Sequence, residues 1–352
     1  MITRAMILAA GLGTRLRPLT EVLPKPLVPV VHRPLVGYLL HNLRAIGVTD
    51  VVMNLYHLPG AFPLVLGTGF DYGLTLHFLQ EDEILGTGGG VHNAAGLLGD
   101  GPCLLLNGDF LVEVDLARVV ADHEASRRLD DQVVATMVLR EDPAAQRYGT
   151  LGVDSTGRIV DFVGRARVEG AEVVRRGMFT GIHVLEKALR DRIPAEGAPD
   201  INRTAYPTAI TEGQVVRGYF QKGHWSDIGT LGGYLQANLD VLYGRVRMPG
   251  PDPRPSEAIF VPEGQRETLD GVEVEGPVSI ALSAELEAGV KLGPGVVVGD
   301  SARLRRGTHL QRVVLLPGSQ PPPIHLDGGI IYRTPGGTQI LSVEPTSGDP
   351  GR

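Results

Sequence analysis

The residues best equipped for chemistry stand close together near the start of the chain. Gly11-Leu12-Gly13-Thr14 is followed by Arg15 and Arg17, and Lys25 lies between Pro24 and Pro26. A glycine-rich turn leaves backbone N–H groups free and lets the chain approach an anion closely. Fixed cations beside such a turn neutralise charge on a polyphosphate. The stretch therefore reads as a phosphate site, its ligand not yet specified. Spacing excludes two common versions. The dinucleotide motif G-x-G-x-x-G needs a third glycine where Leu16 stands, and no G-K-[ST] follows to make a P-loop.

Such a turn must be held by a strand before it, and residues 6–10 (MILAA) are the apolar run of a buried strand. Residues 35–46 place apolar side chains at helical spacing and stop at Gly47. Residues 48–55 and 74–79 read as strands, and Thr87-Gly88-Gly89-Gly90 leads into a small-residue helix at 91–98. A fully apolar strand at 103–106 ends in Asn107-Gly108-Asp109. This alternation predicts a mostly parallel, doubly wound sheet. Ligands of such sheets bind beyond the carboxyl ends of the strands, where Gly11–Thr14 and Asp109 both lie. From 133–139 through 149–154 and 158–163 the pattern becomes strand-rich, which suggests a mixed-sheet insert. A strand at 181–185, a helix at 186–193, a strand at 215–219 and a helix at 234–243 complete this first unit.

Residues 244–258 carry four prolines without apolar periodicity and read as a linker. Beyond them Val278, Ala284, Val290, Val296, Ala302 and Thr308 recur every six residues. Two positions after each stands a larger apolar residue: Ile280, Leu286, Leu292, Val298, Leu304 and Leu310. That period is the signature of a hexapeptide parallel β-helix. Residues 329–332 would add a last strand that caps the stack.

Composition narrows the class. A chain of 352 residues with 43% hydrophobic and 21% charged residues is globular and long enough for two domains. A net charge of −7 argues against nucleic acid as the main partner. The single cysteine, Cys103, excludes a disulfide framework within the chain and a cysteine-based zinc site, and reads as core. No apolar run approaches the roughly 20 residues of a membrane span, and residues 1–10 do not read as a secretory signal, so the cytoplasm is the expected location.

Gly11 to Thr20 (GLGTRLRPLT) followed by Pro24-Lys25-Pro26-Leu27 resembles the signature of sugar-1-phosphate nucleotidyltransferases, the NDP-sugar pyrophosphorylases. The resemblance is to the branch that includes mannose-1-phosphate guanylyltransferases. Leu85-Gly86-Thr87-Gly88-Gly89 resembles the family's second nucleotide loop, and Asn107-Gly108-Asp109 its metal-binding strand end. Trp225-Ser226-Asp227-Ile228-Gly229-Thr230 resembles its W-x-D-I-G-T segment. The implied fold class is α/β: a Rossmann-like doubly wound mixed sheet over residues 1–243, a Pro-rich linker at 244–258, and a small parallel left-handed β-helix with a tail over 259–352.

The resemblance implies an enzyme that makes an NDP-sugar and pyrophosphate from a nucleoside triphosphate and a sugar-1-phosphate, by in-line attack on the α-phosphate. GTP with mannose-1-phosphate or a related sugar is the favoured pair. The alternatives are UTP or dTTP with another sugar, or a non-catalytic homologue that binds nucleotide sugars in a regulatory role. Arg15 is assigned to the leaving pyrophosphate and Lys25 to the sugar phosphate or α-phosphate. Ala9, Ala10, Gly11, Gly13, Thr14, Gln80, Gly86, Thr87, Asn107 and Gly108 are assigned to the nucleotide. Tyr148, Gly149, Arg165, Thr180, Gly181 and Trp225 are assigned to the sugar phosphate. Asp109 and Asp227 would hold Mg²⁺ through hard oxygen ligands, whereas each aspartate taken alone also fits a turn or helix N-cap. Gln80 and Glu81 both stand where a side chain could read the base edge.

Two departures fall on the sugar side. Gly164-Arg165 stands where relatives often carry a Glu-Lys pair, and Thr180 where they often carry Asn. The sugar-hydroxyl acceptor would then come from elsewhere, Glu169 or Glu172 being candidates. The β-helix also raises an acyltransferase reading, but only His309 lies in the repeat. A structural role and homo-oligomerisation through the β-helix are the expectation.

Overall fold

In the computed structural model, which describes residues 2–142, 145, 149–247 and 258–345, four parallel strands form the centre of a mixed sheet. Their order is Cys103–Asn107, Arg4–Leu8, Asp50–Leu55, Thr75–Gln80. The apolar runs of the first three are buried almost throughout, as parallel strands covered on both faces must be. The chain steps outward from Arg4–Leu8 across the next two strands. It then returns to place Cys103–Asn107 on the opposite side. This reversal makes a switch point between Arg4–Leu8 and Cys103–Asn107, where Leu8 lies level with Asn107. The segments that follow both strands open into one crevice.

Arg175–Leu185 runs antiparallel to Cys103–Asn107 and to Val133–Arg140, and Val215–Phe220 lies parallel to the latter. Short strands at Leu151–Val153, Ile159–Phe162 and Ala166–Arg167 extend the sheet outward. The strand Arg175–Leu185 starts well before the expected 181. Its first half is charged and glycine-containing, and it is extended because Arg175 and Gly177 pair with Val153 and Leu151. Cross-strand contacts override the local pattern there.

The helices Leu35–Ala45 and Leu231–Leu242 follow the apolar spacing. The glycine run corrects the expectation of a turn before a helix at 91–98. A helix spans Gly86–Asn93, and a separate one follows at Ala95–Leu98. Four successive residues, Gly88 to Val91, are buried in the first. A Cβ on Gly88 would come 2.9 Å from the Pro199 carbonyl oxygen, and one on Gly90 2.8 Å from Asn54 Nδ2. Close packing, not propensity, makes this segment helical. The helix expected at 186–193 is confined to Lys187–Arg190. Leu116–Leu129, whose apolar stripe is weak, is a helix capped by Asp115 Oδ1 accepting from the Arg118 N–H at 3.0 Å.

Beyond residues 248–257, the part of the expected linker that lies outside the described residues, the chain coils into parallel ladders. Val278 pairs with Val296, Glu285 with Arg303, and Glu273 with Lys291 and onward to His309. Each partner is three six-residue steps further along, so three hexads make one turn with three faces. The last parallel strand is His325–Thr334. The cap expected at 329–332 is instead supplied by Gly337–Ser342, which pairs antiparallel to that strand. At the other end Ala258–Val261 and Arg266–Leu269 also pair antiparallel and cover the first turn.

One apolar cluster joins the coil to the first unit. It contains Leu16, Leu19 and Val28 from the signature segment, Tyr234 and Leu239 from the helix Leu231–Leu242, and Val297, Val314, Ile330 and Tyr332 from the coil. His32 Nε2 also lies 2.8 Å from Ser279 Oγ. Among the described residues no helix is long and apolar enough to cross a membrane.

His183 is fully enclosed in the sheet, hydrogen-bonded to the Tyr206 hydroxyl and stacked on its ring. Burial pushes its imidazole down to about 3 from 6.5. Below the ordinary histidine value the unfolded chain takes up a proton that the native fold refuses, so stability falls as pH drops from 6.5 toward about 3. Urea unfolding of His183→Leu at pH 7 and pH 4.5 should show a smaller acid loss than the wild-type chain; an equal loss would remove His183 from the acid response.

Candidate active site

The turn after Arg4–Leu8 depends on Gly13, whose φ of +59° lies in the left-handed region. A Cβ there would also meet Thr20 Cγ2 at 2.9 Å. The Thr20 hydroxyl donates to the Gly13 carbonyl at 2.9 Å and fixes the turn. Among the described residues no protein acceptor takes the N–H groups of Gly11, Leu12 or Gly13. Gly11 faces open space. A single helical turn, Thr14–Leu16, then sends Leu16 into the core and Arg15 outward. Pro24 precedes and Pro26 sits within a second tight turn, Lys25–Leu27, all of it buried.

The two aspartates meet through a two-stranded ladder. Phe110–Val112 pairs antiparallel with Trp225–Asp227, and Asp227 faces Phe110, the residue after Asp109. Lys25 Nζ donates to Asp109 Oδ2 at 2.8 Å and to Asp227 Oδ1 at 3.0 Å. Arg15 Nη2 donates to Asp227 Oδ2 at 3.1 Å. The lysine side chain is only 7% exposed, whereas that of Arg15 is 66% exposed. Gly229 lets this happen: a Cβ there would sit 2.7 Å from Asp227 Oδ2 and 2.8 Å from Arg15 Nη1. The resulting cavity of ≈ 200 Å³ is lined by Ala9, Gly11, Gly13, Thr14, Arg15, Lys25, Asp109 and Gly229, among others.

The other expected residues lie at graded removes. Gly108 donates its N–H to Leu8 O at 2.9 Å and tethers the two strand ends. Ala10 is buried beside Ala9. Gly181, with φ +90°, lets Asn107 approach, since a Cβ would lie 2.9 Å from Asn107 Nδ2. Trp225 Nε1 donates to Thr180 O at 2.9 Å, and the buried Thr180 hydroxyl donates to Val138 O at 2.8 Å. The Thr180 side chain is thus committed to the sheet, and its carbonyl positions Trp225. Gly86 and Thr87 rest on residues 198–201, where Thr87 Oγ1 accepts from the Ile201 N–H at 3.0 Å. Gln80 is exposed at a strand end. Gly149 packs against Val163 and Arg165 is exposed in the turn that follows, away from the lined cavity. Glu169 and Glu172 are exposed as well. Tyr148 lies outside the described residues.

Sequence reading missed Asn54, a lone amide in the apolar strand DVVMNL, and weighed Gln80 alongside Glu81. It is Glu81 that is buried, with Asn54 Nδ2 donating to its Oε1 at 2.8 Å. A polar residue in an otherwise apolar strand was the available signal.

A cradle of free N–H groups beside two cations suits a phosphate chain. The convergence of two carboxylates on one cationic atom also suits a divalent ion, because hard oxygens aimed at one point are what Mg²⁺ requires. Among the described residues no group of three or more His, Cys, Asp or Glu could hold a metal. A divalent ion at the aspartate pair would therefore share its coordination with ligand oxygens. Removing Lys25 leaves two facing carboxylates without their buried counter-ion. Lys25→Met should lower stability by about 1–3 kcal/mol, and Arg15→Ala, at an exposed pair, by less than about 1 kcal/mol. Chemical denaturation compares the two; equal losses would contradict the central place given to Lys25.

Residues 4–243 match the nucleotidyl transferase family. The mannose-1-phosphate guanylyltransferase of Mycobacterium tuberculosis is 29% identical over 314 residues, covering 88% of this chain and 83% of that protein. The N-acetylmuramate α-1-phosphate uridylyltransferase of Neisseria meningitidis serogroup B is 31% identical over 233 residues, 65% of this chain and 94% of that protein. A Bacillus anthracis crystal structure, described as a glucose-1-phosphate thymidylyltransferase, shares the fold with a TM-score of 0.57 at 21% identity, over 67% of this chain and 93% of that one. The chain belongs to the nucleotidyl transferase family, among relatives that act on sugar-1-phosphates.

Proposed function

We propose that this protein is a sugar-1-phosphate nucleotidyltransferase that joins a nucleoside triphosphate to a sugar-1-phosphate and releases pyrophosphate. The observation that carries the reading is the meeting of the Gly11–Thr14 turn, Arg15, Lys25 and Asp109 around one cavity at the sheet's switch point, with Asp227 joined to it through Arg15 and Lys25. The sugar phosphate's oxygen forms a new bond to the α-phosphorus. The α–β bridging bond breaks, and its electron pair leaves on pyrophosphate. No proton need move and no covalent enzyme intermediate forms, so positioning and charge stabilisation carry the rate.

The free N–H groups at Gly11 to Gly13 bind the triphosphate. Exposed Arg15 swings from Asp227 onto the leaving pyrophosphate, where charge grows. Buried Lys25 turns from the aspartates toward the oxygens of the α-phosphate or the incoming sugar phosphate. Asp109 and Asp227 would hold Mg²⁺, which when bound would neutralise phosphate charge. Trp225, fixed through Thr180, walls the sugar side together with Gly181.

GTP with mannose-1-phosphate is the pair we favour, because mannose-1-phosphate guanylyltransferases recur among the relatives that align across most of this chain. Relatives that use uridine and thymidine nucleotides keep UTP and dTTP in the comparison. The three-faced coil is read as a left-handed hexapeptide β-helix that, with a C-terminal tail, makes up the domain 259–352 and joins protomers into a homo-oligomer. Pyrophosphate release measured for four nucleoside triphosphates against several sugar-1-phosphates, with Mg²⁺, tests the reading. Turnover with GTP and mannose-1-phosphate above the other pairs is expected. Nucleotide binding without turnover of any pair would replace the enzyme with a binding protein.

A further inference from the structure

A buried polar relay ties together the carboxyl ends of three neighbouring strands, outside the cavity described above. Asn54 and Glu81 are 3% and 4% exposed. Asn54 stands level with Leu8 in the adjacent strand, and its Oδ1 accepts from the Ala9 N–H at 3.0 Å. Its Nδ2 donates to Glu81 Oε1 at 2.8 Å. Glu81 Oε2 accepts from the Leu85 N–H at 3.1 Å, at the head of the glycine helix Gly86–Asn93. Among the described residues Glu81 makes no ion pair. Gly90 leaves the space, since a Cβ there would sit 2.8 Å from Asn54 Nδ2 and 3.2 Å from Glu81 Oε1.

We infer that Asn54 and Glu81 are positioning residues that set nucleotide capture by holding the Ala9–Gly13 turn and the Leu85–Gly90 segment in one fixed geometry. The inference rests on the proposed function and on the expectation that the Gly11–Thr14 turn and the Gly86–Thr87 segment both contact the nucleoside triphosphate. Neither side chain lines the cavity, so each acts through the backbone it holds.

Donor counting shows why the pair has this composition. Both ends of the relay are backbone N–H donors, so both ends must meet acceptors. An amide followed by a carboxyl group satisfies every link. An Asn–Gln pair sets a donor against a donor at one link, and an Asp–Glu pair with both carboxyls ionised sets an acceptor against an acceptor. With carboxyl groups ionised, only one amide with one carboxylate closes the relay, and it closes in either order. A buried polar network with one link broken loses more than that link, since the abandoned groups stay buried.

The order-independence supplies the test. Glu81→Gln breaks the relay at any pH, and Asn54→Asp breaks it at alkaline pH, where both carboxyls are ionised and no proton is shared. The double variant carrying both rebuilds it, so the comparison is made at alkaline pH. There the carboxylate introduced at position 54 would accept from the Ala9 N–H and from the amide introduced at position 81. That amide's carbonyl oxygen would in turn accept from the Leu85 N–H. Each single variant should raise KM for the nucleoside triphosphate about ten-fold, with kcat and the sugar-phosphate KM within about three-fold, because a loop that is held equally before and during reaction acts on uniform binding. The double variant should return to within about three-fold of the wild-type nucleotide KM.

Thermal melting and calorimetric binding of GTP accompany the kinetics. Singles that melt lower but keep the nucleotide KM would reduce the relay to core packing and overturn the inference. So would a double variant no better than the worse single. If a single variant does not fold, the double still decides, since recovery of folding together with GTP binding supports the relay and failure overturns it. A wild-type chain that binds none of the four nucleoside triphosphates would remove the proposed function along with the inference. Normal wild-type turnover without the rescue pattern removes the inference alone.

Discussion

The ammonium of Lys25 sits between two carboxylates that a short antiparallel ladder brings side by side. Without it, Asp109 and Asp227 would face each other with no cation between them, and at an effective dielectric near 20 two unit charges about 4 Å apart interact by about 4 kcal/mol. With it, the charges interlock: Lys25 bridges both aspartates and Arg15 takes the remaining oxygen of Asp227. The two cations are not equivalent. Arg15 is exposed and its pair is weakly held, while Lys25 is enclosed and cannot leave the aspartates unless another anion accepts it. A phosphate chain is such an anion, and a divalent ion is what the released carboxylates would then hold.

The scaffold is arranged to deliver that contact. The reversal of strand order brings the ends of Arg4–Leu8 and Cys103–Asn107 side by side. The short ladder between Phe110–Val112 and Trp225–Asp227 then carries the second aspartate to the first. Lys25 reaches the pair from a turn pinned by prolines, and its neighbours Leu16, Leu19 and Val28 are packed by the helix Leu231–Leu242 and by one face of the coil. The coil is therefore more than an appendage. Its apolar face is part of the floor beneath the segment that supplies the cation.

Much of this was legible in the sequence, and the parts that were not share a cause. The parallel centre and the coil could be read because each repeats a simple period, as the recurrence from Val278 to Thr308 does. The glycine turn, Arg15, Lys25 and the two aspartates could be named from local motifs. What could not be read is which groups touch. The ladder that joins Asp109 to Asp227 depends on pairing between residues far apart in the chain. The first half of Arg175–Leu185 becomes a strand only by finding Leu151–Val153. The helix at Gly86–Asn93 exists because its glycines fit against Pro199 and Asn54. Glu81 looked like a surface reader of a base and is instead a buried link between two backbones. On the sugar side, Arg165 is exposed and Thr180 is turned into the sheet, so the residues that name the sugar are not fixed by the motifs.

The central claim is that Lys25 occupies the place a divalent ion would take until a triphosphate draws it away. Titrating Mn²⁺ onto the ligand-free protein by electron paramagnetic resonance, for wild type and Lys25→Met, with and without GTP, tests this most directly. The account predicts weak binding to the free wild-type chain, at least about ten-fold tighter binding on adding GTP, and a comparable gain from Lys25→Met alone. Equal Mn²⁺ affinity in all four cases would contradict it.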